Sequence, residues 1–81
     1  RFSSYLIENK DLSVMEIDVT PELAGKSIQE INIPGEFMAV AIRRMDEVIM
    51  PQPPAILKTK DVLIGVLKVA SLAKVKEKFK L

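Results

Sequence analysis

Residues 37–51 read Phe-Met-Ala-Val-Ala-Ile-Arg-Arg-Met-Asp-Glu-Val-Ile-Met-Pro, and this stretch decides the fold. Two short apolar runs, residues 37–42 and 48–50, flank the charged tetrapeptide at residues 44–47. Apolar runs separated by a short polar segment are typical of a β-hairpin with buried arms and an exposed turn. We therefore predict that this hairpin forms the middle of a sheet, and that the other segments pair with it or cover one of its faces.

Two further segments have the patterns of strands. Residues 14–19 alternate strictly, which predicts a strand with one wet face carrying Glu16 and Asp18 and one dry face carrying Met15, Ile17 and Val19. Residues 62–69 form an almost unbroken aliphatic run, which is typical of a central strand covered on both faces. Gly65 inside that run indicates a bulge or a close backbone approach.

Short helices are predicted on either side of the strands. One begins at Lys26 or Ser27, carries Ile28 and Ile31 toward the core, and ends at the Pro-Gly pair of residues 34 and 35. Ser71 is a good N-cap for a final helix. We interpret residues 1–10 as the end of a connecting helix and residues 11–81 as one domain. The predicted fold is α+β, a small single-layer, mainly antiparallel β-sheet backed by two short helices in the order β-α-β-β-β-α.

The composition restricts the chemistry of the chain. It has 81 residues, enough for one small domain, and contains neither cysteine nor histidine. Disulfides, the usual zinc sites and the usual general base are therefore excluded. Ser27 lies beside Lys26, but no third group orients either side chain. The sequence therefore predicts that the chain is not an enzyme. Because it begins at Arg1 without a methionine, we also expect it to be a piece of a longer protein.

Charge is distributed unevenly along the chain. Residues 1–50 contain five Lys or Arg against nine Asp or Glu, whereas residues 51–81 contain seven against two. The lysines of residues 74–80 predict a solvated helix surface with its cations near the C-terminus, and a nucleic-acid-binding surface is the alternative. We expect no nucleic-acid partner. No apolar run approaches the roughly 18 residues of a membrane span.

Five pieces of sequence in order resemble the TrkA C-terminal domain, the C-lobe of regulator-of-potassium-conductance modules. They are Glu16-Ile17-Asp18-Val19, the segment Leu23 to Ile31 with Gly25-Lys26-Ser27, the aliphatic strand into Arg43-Arg44, Val48 to Pro53, and Lys60-Asp61-Val62-Leu63. The chain departs from the family at two positions, Met45 and Lys60, where glycine is usual. A lysine at a position of positive φ costs about 1 kcal/mol.

The resemblance implies a cytoplasmic regulatory domain that forms a homodimer. Through its parent protein it would lie at the inner face of the membrane against a membrane-embedded potassium channel or transporter subunit. In some relatives the dimer cleft holds cyclic di-AMP, and in others it binds divalent cations. A ligand-free oligomerisation domain of another cation or carboxylate transporter is the alternative function.

Several residues are candidates for such a cleft. Arg43 and Arg44 point to opposite faces of a strand, so one of them can grip a phosphate with paired hydrogen bonds, unless both only flank the turn and pair with Asp46 or Glu47. Ile33 and the rim residue Pro51 are the apolar candidates, together with Ile31, Pro34 and Pro53, unless these are ordinary core and loop residues. Glu16 and Asp18 are the candidate metal ligands, unless they only solubilise the wet face.

Overall fold

The sheet is antiparallel throughout and has the strand order β1-β2-β5-β3-β4 in a computed structural model that describes residues 2–6, 11–52 and 54–81. The strands are β1 (Phe2–Leu6), β2 (Leu12–Asp18), β3 (Phe37–Arg44), β4 (Glu47–Ile49) and β5 (Val62–Lys68). Helix α1 spans Ile28–Ile31, and a single 3-10 turn (Val69–Ser71) leads into helix α2 (Leu72–Phe79). The α+β class and the predicted order from residue 11 onward are confirmed.

The hairpin lies at the edge of the sheet, so the prediction that it forms the middle is wrong. Strand β5 is central and pairs with β2 on one side and β3 on the other. The reason is chemical: β5 carries aliphatic residues on both faces, whereas β4 has only three residues and is followed by Pro51. A short strand that ends at a proline is suited to an edge.

The helix predicted for residues 1–10 is also wrong where the structure describes it. Phe2–Leu6 is a strand that pairs with β2, with Phe2 opposite Ile17 and Leu6 opposite Ser13. Backbone hydrogen bonds to the edge of β2 outweigh the weak helical spacing of this segment, because pairing with a neighbouring strand overrides local propensity. Residues 1 and 7–10 lie outside the described part of the chain, and the domain boundary at residue 11 stays a prediction.

One face of the sheet is covered by the helices and forms the core. The alternation predicted in β2 is confirmed, since Met15, Ile17 and Val19 are buried. The other buried apolar residues come from α1, the strands, α2 and the connections: Leu23, Ile28, Ile31, Phe37, Ala39, Ile42, Leu57, Leu63, Leu67, Val75 and Phe79. The opposite face, which we call the open face, carries half-buried and exposed side chains.

Gly65 allows an aromatic ring to lie directly on the central strand. A Cβ atom at this position would overlap the ring of Phe37, which in turn packs edge-on against Phe79 with 5.1 Å between ring centroids. The β3 register also shifts here, because Ala39 pairs with Gly65 but Ala41 pairs with Ile64. The close approach predicted at Gly65 is confirmed, since the Met38 carbonyl also lies near this position, whereas the bulge lies in the partner strand β3.

Helix α1 is held by its cap because it has only four residues. The Glu30 amide donates to the Ser27 hydroxyl (3.2 Å) and the Ser27 amide donates to the Glu30 carboxylate (3.5 Å), which is a capping box. Ser71 precedes α2 as predicted, but its hydroxyl donates to Glu36 (3.0 Å) instead of capping the helix. This hydrogen bond connects the start of α2 to the start of β3.

Met45 and Lys60, the two positions at which the resemblance led us to expect glycine, both adopt positive φ angles. Met45 has φ 55° in the hairpin turn, and Lys60 has φ 72° in the turn closed by the Asp61 amide, which donates to the Lys58 carbonyl (3.2 Å). A left-handed conformation costs a residue with a Cβ roughly 1–2 kcal/mol. The backbone therefore keeps the shape that glycine favours although the side chains differ.

We predict that Lys60→Gly stabilises the protein by about 0.5–1 kcal/mol, because relief of the left-handed strain exceeds the added entropy of the unfolded chain. The melting temperature should rise by roughly 4–8 °C for each kcal/mol. Lys58→Gly is the matched control, since Lys58 lies in the same turn without a positive φ. It should lower the melting temperature, and equal effects of the two substitutions would contradict the prediction.

Candidate functional site

Two arginine–carboxylate pairs occupy the same end of the sheet. Arg43 and Arg44 lie at the end of β3, Glu16 lies near the end of β2, and Asp61 immediately precedes β5. Because successive residues of a strand face opposite sides, the two arginines extend to different faces, as predicted. Arg43 pairs with Glu16 and Arg44 pairs with Asp61. The acidic partner of each arginine thus lies far along the chain instead of in the following turn.

In the ion pair of Arg44 and Asp61, the carboxylate is buried. Arg44 donates from Nε to Asp61 Oδ1 (2.9 Å) and from Nη2 to Asp61 Oδ2 (2.8 Å), and Nη2 also donates to the Ile56 carbonyl (3.1 Å). The Lys58 amide donates to Asp61 Oδ2 (2.9 Å). Asp61 is only 1% exposed. This geometry is the two-pronged arrangement that arginine forms best with a carboxylate.

Ionisation of Asp61 is linked to the stability of the fold. Burial opposes the charged form, but the hydrogen bonds from Arg44 and the Lys58 amide outweigh burial and lower the pKa of the Asp61 carboxyl. The same hydrogen bond to Asp61 raises the pKa of Arg44. Since the folded-state pKa of Asp61 lies below its unfolded value, its contribution to stability is complete above about pH 4. It is lost as the pH falls through the lowered folded-state pKa.

Arg43 and Glu16 cross the open face above β5. Arg43 Nη2 donates to Glu16 Oε1 (3.1 Å), and the side chains are 39% and 21% exposed. An ion pair this accessible to solvent contributes at most about 1 kcal/mol. Around it, Met38 and Val48 are exposed, whereas Val14, Ile64 and Val66 are half-buried. The open face therefore combines an aliphatic surface with a solvent-accessible ion pair.

The candidate metal ligands share the open face but do not form a preformed site. Glu16 and Asp18 are two residues apart on β2 and both half-buried, and Glu16 already accepts a hydrogen bond from Arg43. Within residues 2–6, 11–52 and 54–81, no group of three or more acidic side chains is positioned to hold a metal ion. A cation here would compete with Arg43 for the Glu16 carboxylate.

Ile33, one of the apolar candidates, lies far from the arginines. Ile33 is half-buried and forms a bridge to Phe37, at the start of β3, so it is roughly 20 Å from Arg43 along a strand that rises about 3.3 Å per residue. Ile31 belongs to the core, while Pro34 is exposed and Pro51 half-buried. Pro53 lies outside the described residues. One protomer thus does not place Ile33 beside either arginine.

The chain matches the model of the TrkA-C domain over residues 12–80. The chain belongs to the TrkA-C domain family. The match covers both helices and four of the five strands, so the resemblance noted from the five sequence pieces is confirmed. No match was found among curated proteins.

Two solved structures resemble this TrkA-C domain. The C domain of the regulator of conductance of K⁺ (RCK) from the potassium transport protein KtrA, solved in complex with cyclic diadenosine monophosphate (c-di-AMP), superimposes with a TM-score of 0.68 at 28% identity, covering 80% of each chain. The GsuK channel superimposes with a TM-score of 0.78 at 22% identity. That likeness covers 96% of this chain but 15% of the channel chain, so it shows the fold alone.

Most lysines of residues 74–80 contact other groups of this TrkA-C domain. Lys74 pairs with Glu36 (2.6 Å), Lys80 pairs with Glu22 (2.9 Å), and Lys78 donates to the Glu30 carbonyl (3.0 Å). The hydrogen bond from Lys74, followed by that from Ser71, lowers the pKa of Glu36. These contacts support the prediction of a solvated, ion-paired helix surface over the nucleic-acid alternative.

Asp61 is the important residue that sequence reasoning did not single out. The segment Lys58-Thr59-Lys60-Asp61 has the composition of a plain polar turn, and only the resemblance marked residues 60 and 61. The available signal was an acidic residue directly before an aliphatic strand. Among the helices that the structure describes, none is both long and apolar enough to cross a membrane.

Adjacent arginines should differ sharply in their effect on stability. Arg44→Ala leaves the Asp61 carboxylate buried and unpaired, which costs about 3–5 kcal/mol, whereas loss of the exposed Arg43 pair costs about 0–1 kcal/mol. Chemical denaturation at pH 7 measures both values. Equal destabilisation by Arg44→Ala and Arg43→Ala would contradict the structural role assigned to Asp61.

Proposed function

We propose that this TrkA-C domain is the regulatory and dimerisation domain of a potassium transport system. It would act in the cytoplasm, at the inner face of the membrane, through a parent protein that contacts a membrane-embedded channel or transporter subunit. Its role is to transmit ligand binding to the transport subunit and not to catalyse a reaction. The observation that carries the proposal is the family match over residues 12–80, together with the 28% identity to the RCK C domain of the potassium transport protein KtrA.

The open face supports a homodimer. Exposed Met38 and Val48 lie on the same face as half-buried Ile64 and Val66, because residues directly opposite in antiparallel strands share a face. A two-fold axis places the same surface on both protomers, so a patch carrying an arginine beside a glutamate is complementary to itself. Arg43 of one protomer can thus exchange its own Glu16 for that of the partner at little cost.

The proposed ligand of this dimer is c-di-AMP. The KtrA RCK C domain was solved with this dinucleotide. In the present chain Arg43 is the better of the two arginine candidates, since its ion pair is exposed and weak while Arg44 is fixed by Asp61. Ile33 and Pro51 remain the apolar candidates. Because Ile33 and Arg43 are roughly 20 Å apart, they would contact the ligand in different parts of the cleft.

The mechanism we propose is a shift of populations. A ligand held between two protomers stabilises the relative placement that forms the cleft, and it can change the equilibrium only by its difference in affinity for the two placements. The membrane subunit would then respond to that placement through the parent protein. The sensing therefore belongs to the assembly and not to one domain.

The second candidate function is a ligand-free oligomerisation domain of another cation or carboxylate transporter. The observation that favours it is that both arginines already have carboxylate partners within the chain. A divalent cation bound by Glu16 and Asp18 is a third proposal, in which the metal displaces Arg43. Binding measurements separate these proposals.

We expect the chain to sediment as a dimer. The double substitution Met38→Lys and Val48→Lys places two cations on the open face and should convert the dimer to a folded monomer. Met45→Lys with Leu81→Lys adds the same charge at residues that are 91% and 40% exposed and lie off this face, and it should leave the dimer intact. A wild-type monomer, or equal dissociation of the two variants, would exclude the open face as the interface.

Calorimetric titration with c-di-AMP tests the proposed ligand. We expect saturable binding with one dinucleotide per dimer, and a loss of at least tenfold in affinity for Arg43→Ala. Arg43→Lys keeps the positive charge but loses the planar guanidinium that forms paired hydrogen bonds, so this variant should bind with intermediate affinity. A flat wild-type titration would remove c-di-AMP from the proposal, and heat on addition of Mg²⁺ or Ca²⁺, abolished by Glu16→Gln, would favour the cation.

A further inference from the structure

Strand β4 is the outer strand on one side of the sheet, and its outer side has no neighbouring strand among the described residues. Its central residue, Val48, is 67% exposed, and Met45 and Met50, before and after the strand, are 91% and 66% exposed. Glu47 is the only charged residue of the strand. Exposed apolar residues beside an unpaired strand edge mark a surface on which another strand can pair.

The hairpin turn determines which backbone groups of β4 point outward. Two residues connect Arg44 to Glu47, and these two residues are paired across the hairpin. The pair that closes a two-residue turn is hydrogen-bonded, and hydrogen-bonded pairs alternate with non-hydrogen-bonded pairs along antiparallel strands. Val48, which lies opposite Arg43, therefore belongs to a non-hydrogen-bonded pair. Its N–H and C=O point away from β3, toward the open edge of the sheet.

The chain itself covers the neighbouring part of this edge. Strand β4 pairs only with residues 42–44 of β3, so the start of β3 extends past it. There the Asn32 side-chain oxygen accepts from the Ala39 amide (2.8 Å), and Ile33 and Phe37 exchange two backbone hydrogen bonds (2.9 and 3.0 Å). The fold thus covers the start of β3 on this side and leaves β4 without a neighbour.

The segment from Asp46 to Met50 is complementary to itself in one antiparallel register. When two copies are centred on Val48, the two Val48 residues exchange two backbone hydrogen bonds through their outward groups. This register places Glu47 opposite the partner's Ile49, and Asp46 opposite the partner's Met50, so every carboxylate faces an apolar residue. A register centred on Glu47 would instead place two carboxylates directly opposite each other, which is destabilising.

We propose that β4 pairs with β4 of a second copy of this chain in the register centred on Val48. Residues directly opposite in antiparallel strands share a face, so the two-fold axis is perpendicular to the sheet and both open faces lie on the same side. A strand of three residues offers few hydrogen bonds, so this contact is weaker than the open-face dimer and forms as the protein concentration rises. The inference does not depend on the open-face dimer. Where both contacts form, two dimers join into a tetramer.

Sedimentation of the 81-residue chain over a range of concentrations tests the proposal. The wild-type species should double in mass as the concentration rises. Val48→Pro removes the outward N–H without breaking a hydrogen bond to β3, and an edge strand tolerates proline at such a position, so this variant should not double. Val48→Ala is the matched control, because it shortens the same side chain but keeps the N–H. It should weaken the association no more than about fivefold.

Hydrogen exchange of the wild-type chain gives a second readout that needs no variant. The Val48 amide should exchange at least tenfold more slowly at the concentration at which the mass has doubled, whereas the amide of exposed Thr59 should keep its rate. A Val48 rate that is independent of concentration, or equal loss of association in Val48→Pro and Val48→Ala, would overturn the edge pairing. A doubling that starts from a monomer and is lost in Val48→Pro would support this inference and contradict only the open-face dimer.

Discussion

The buried Asp61 carboxylate is the constraint on which the rest of the structure depends. The carboxylate accepts hydrogen bonds from Nε and Nη2 of Arg44 in β3 and from the Lys58 amide. The backbone carbonyl of Asp61 accepts from the Val19 amide just after β2. Three separate segments therefore meet at one residue. A carboxylate that is 1% exposed is stable in the ionised form only while all these donors are in place, so the register of the central strands depends on them.

Folding brings the basic C-terminal helix next to acidic residues from the first half of the chain. Lysines of the basic C-terminal helix reach acidic residues or carbonyls in the first half of the chain, such as Glu22, Glu30 and Glu36. These contacts are exposed, so each contributes little energy, but together they account for most of the basic tail. Among the described residues, the side chains of Lys26, Lys58, Lys60 and Lys68 form no ion pair or hydrogen bond.

The two faces of the sheet are adapted to different tasks. The helix-covered face contains the core, with the ring of Phe37 lying on Gly65 and the Phe79 ring against its edge. The open face has aliphatic residues at the surface, and the weak ion pair of Arg43 and Glu16 crosses them. A domain of this size buries only about 60% of the surface of its unfolded chain, so association of its open faces would add the burial that a single protomer lacks. This division fits a domain that acts through assembly.

The sequence by itself determined the local elements, because alternation in residues 14–19, the Ser27 cap and the aliphatic run of residues 62–69 are short-range patterns. It also separated Arg43 from Arg44, since neighbours on a strand must face opposite ways. Only the tertiary structure decided the strand order, the strand formed by Phe2–Leu6, the edge position of the hairpin and the partner of each arginine. The partners Glu16 and Asp61 are 27 and 17 residues away from their arginines, and contacts over such distances depend on how segments pack together and not on any local pattern.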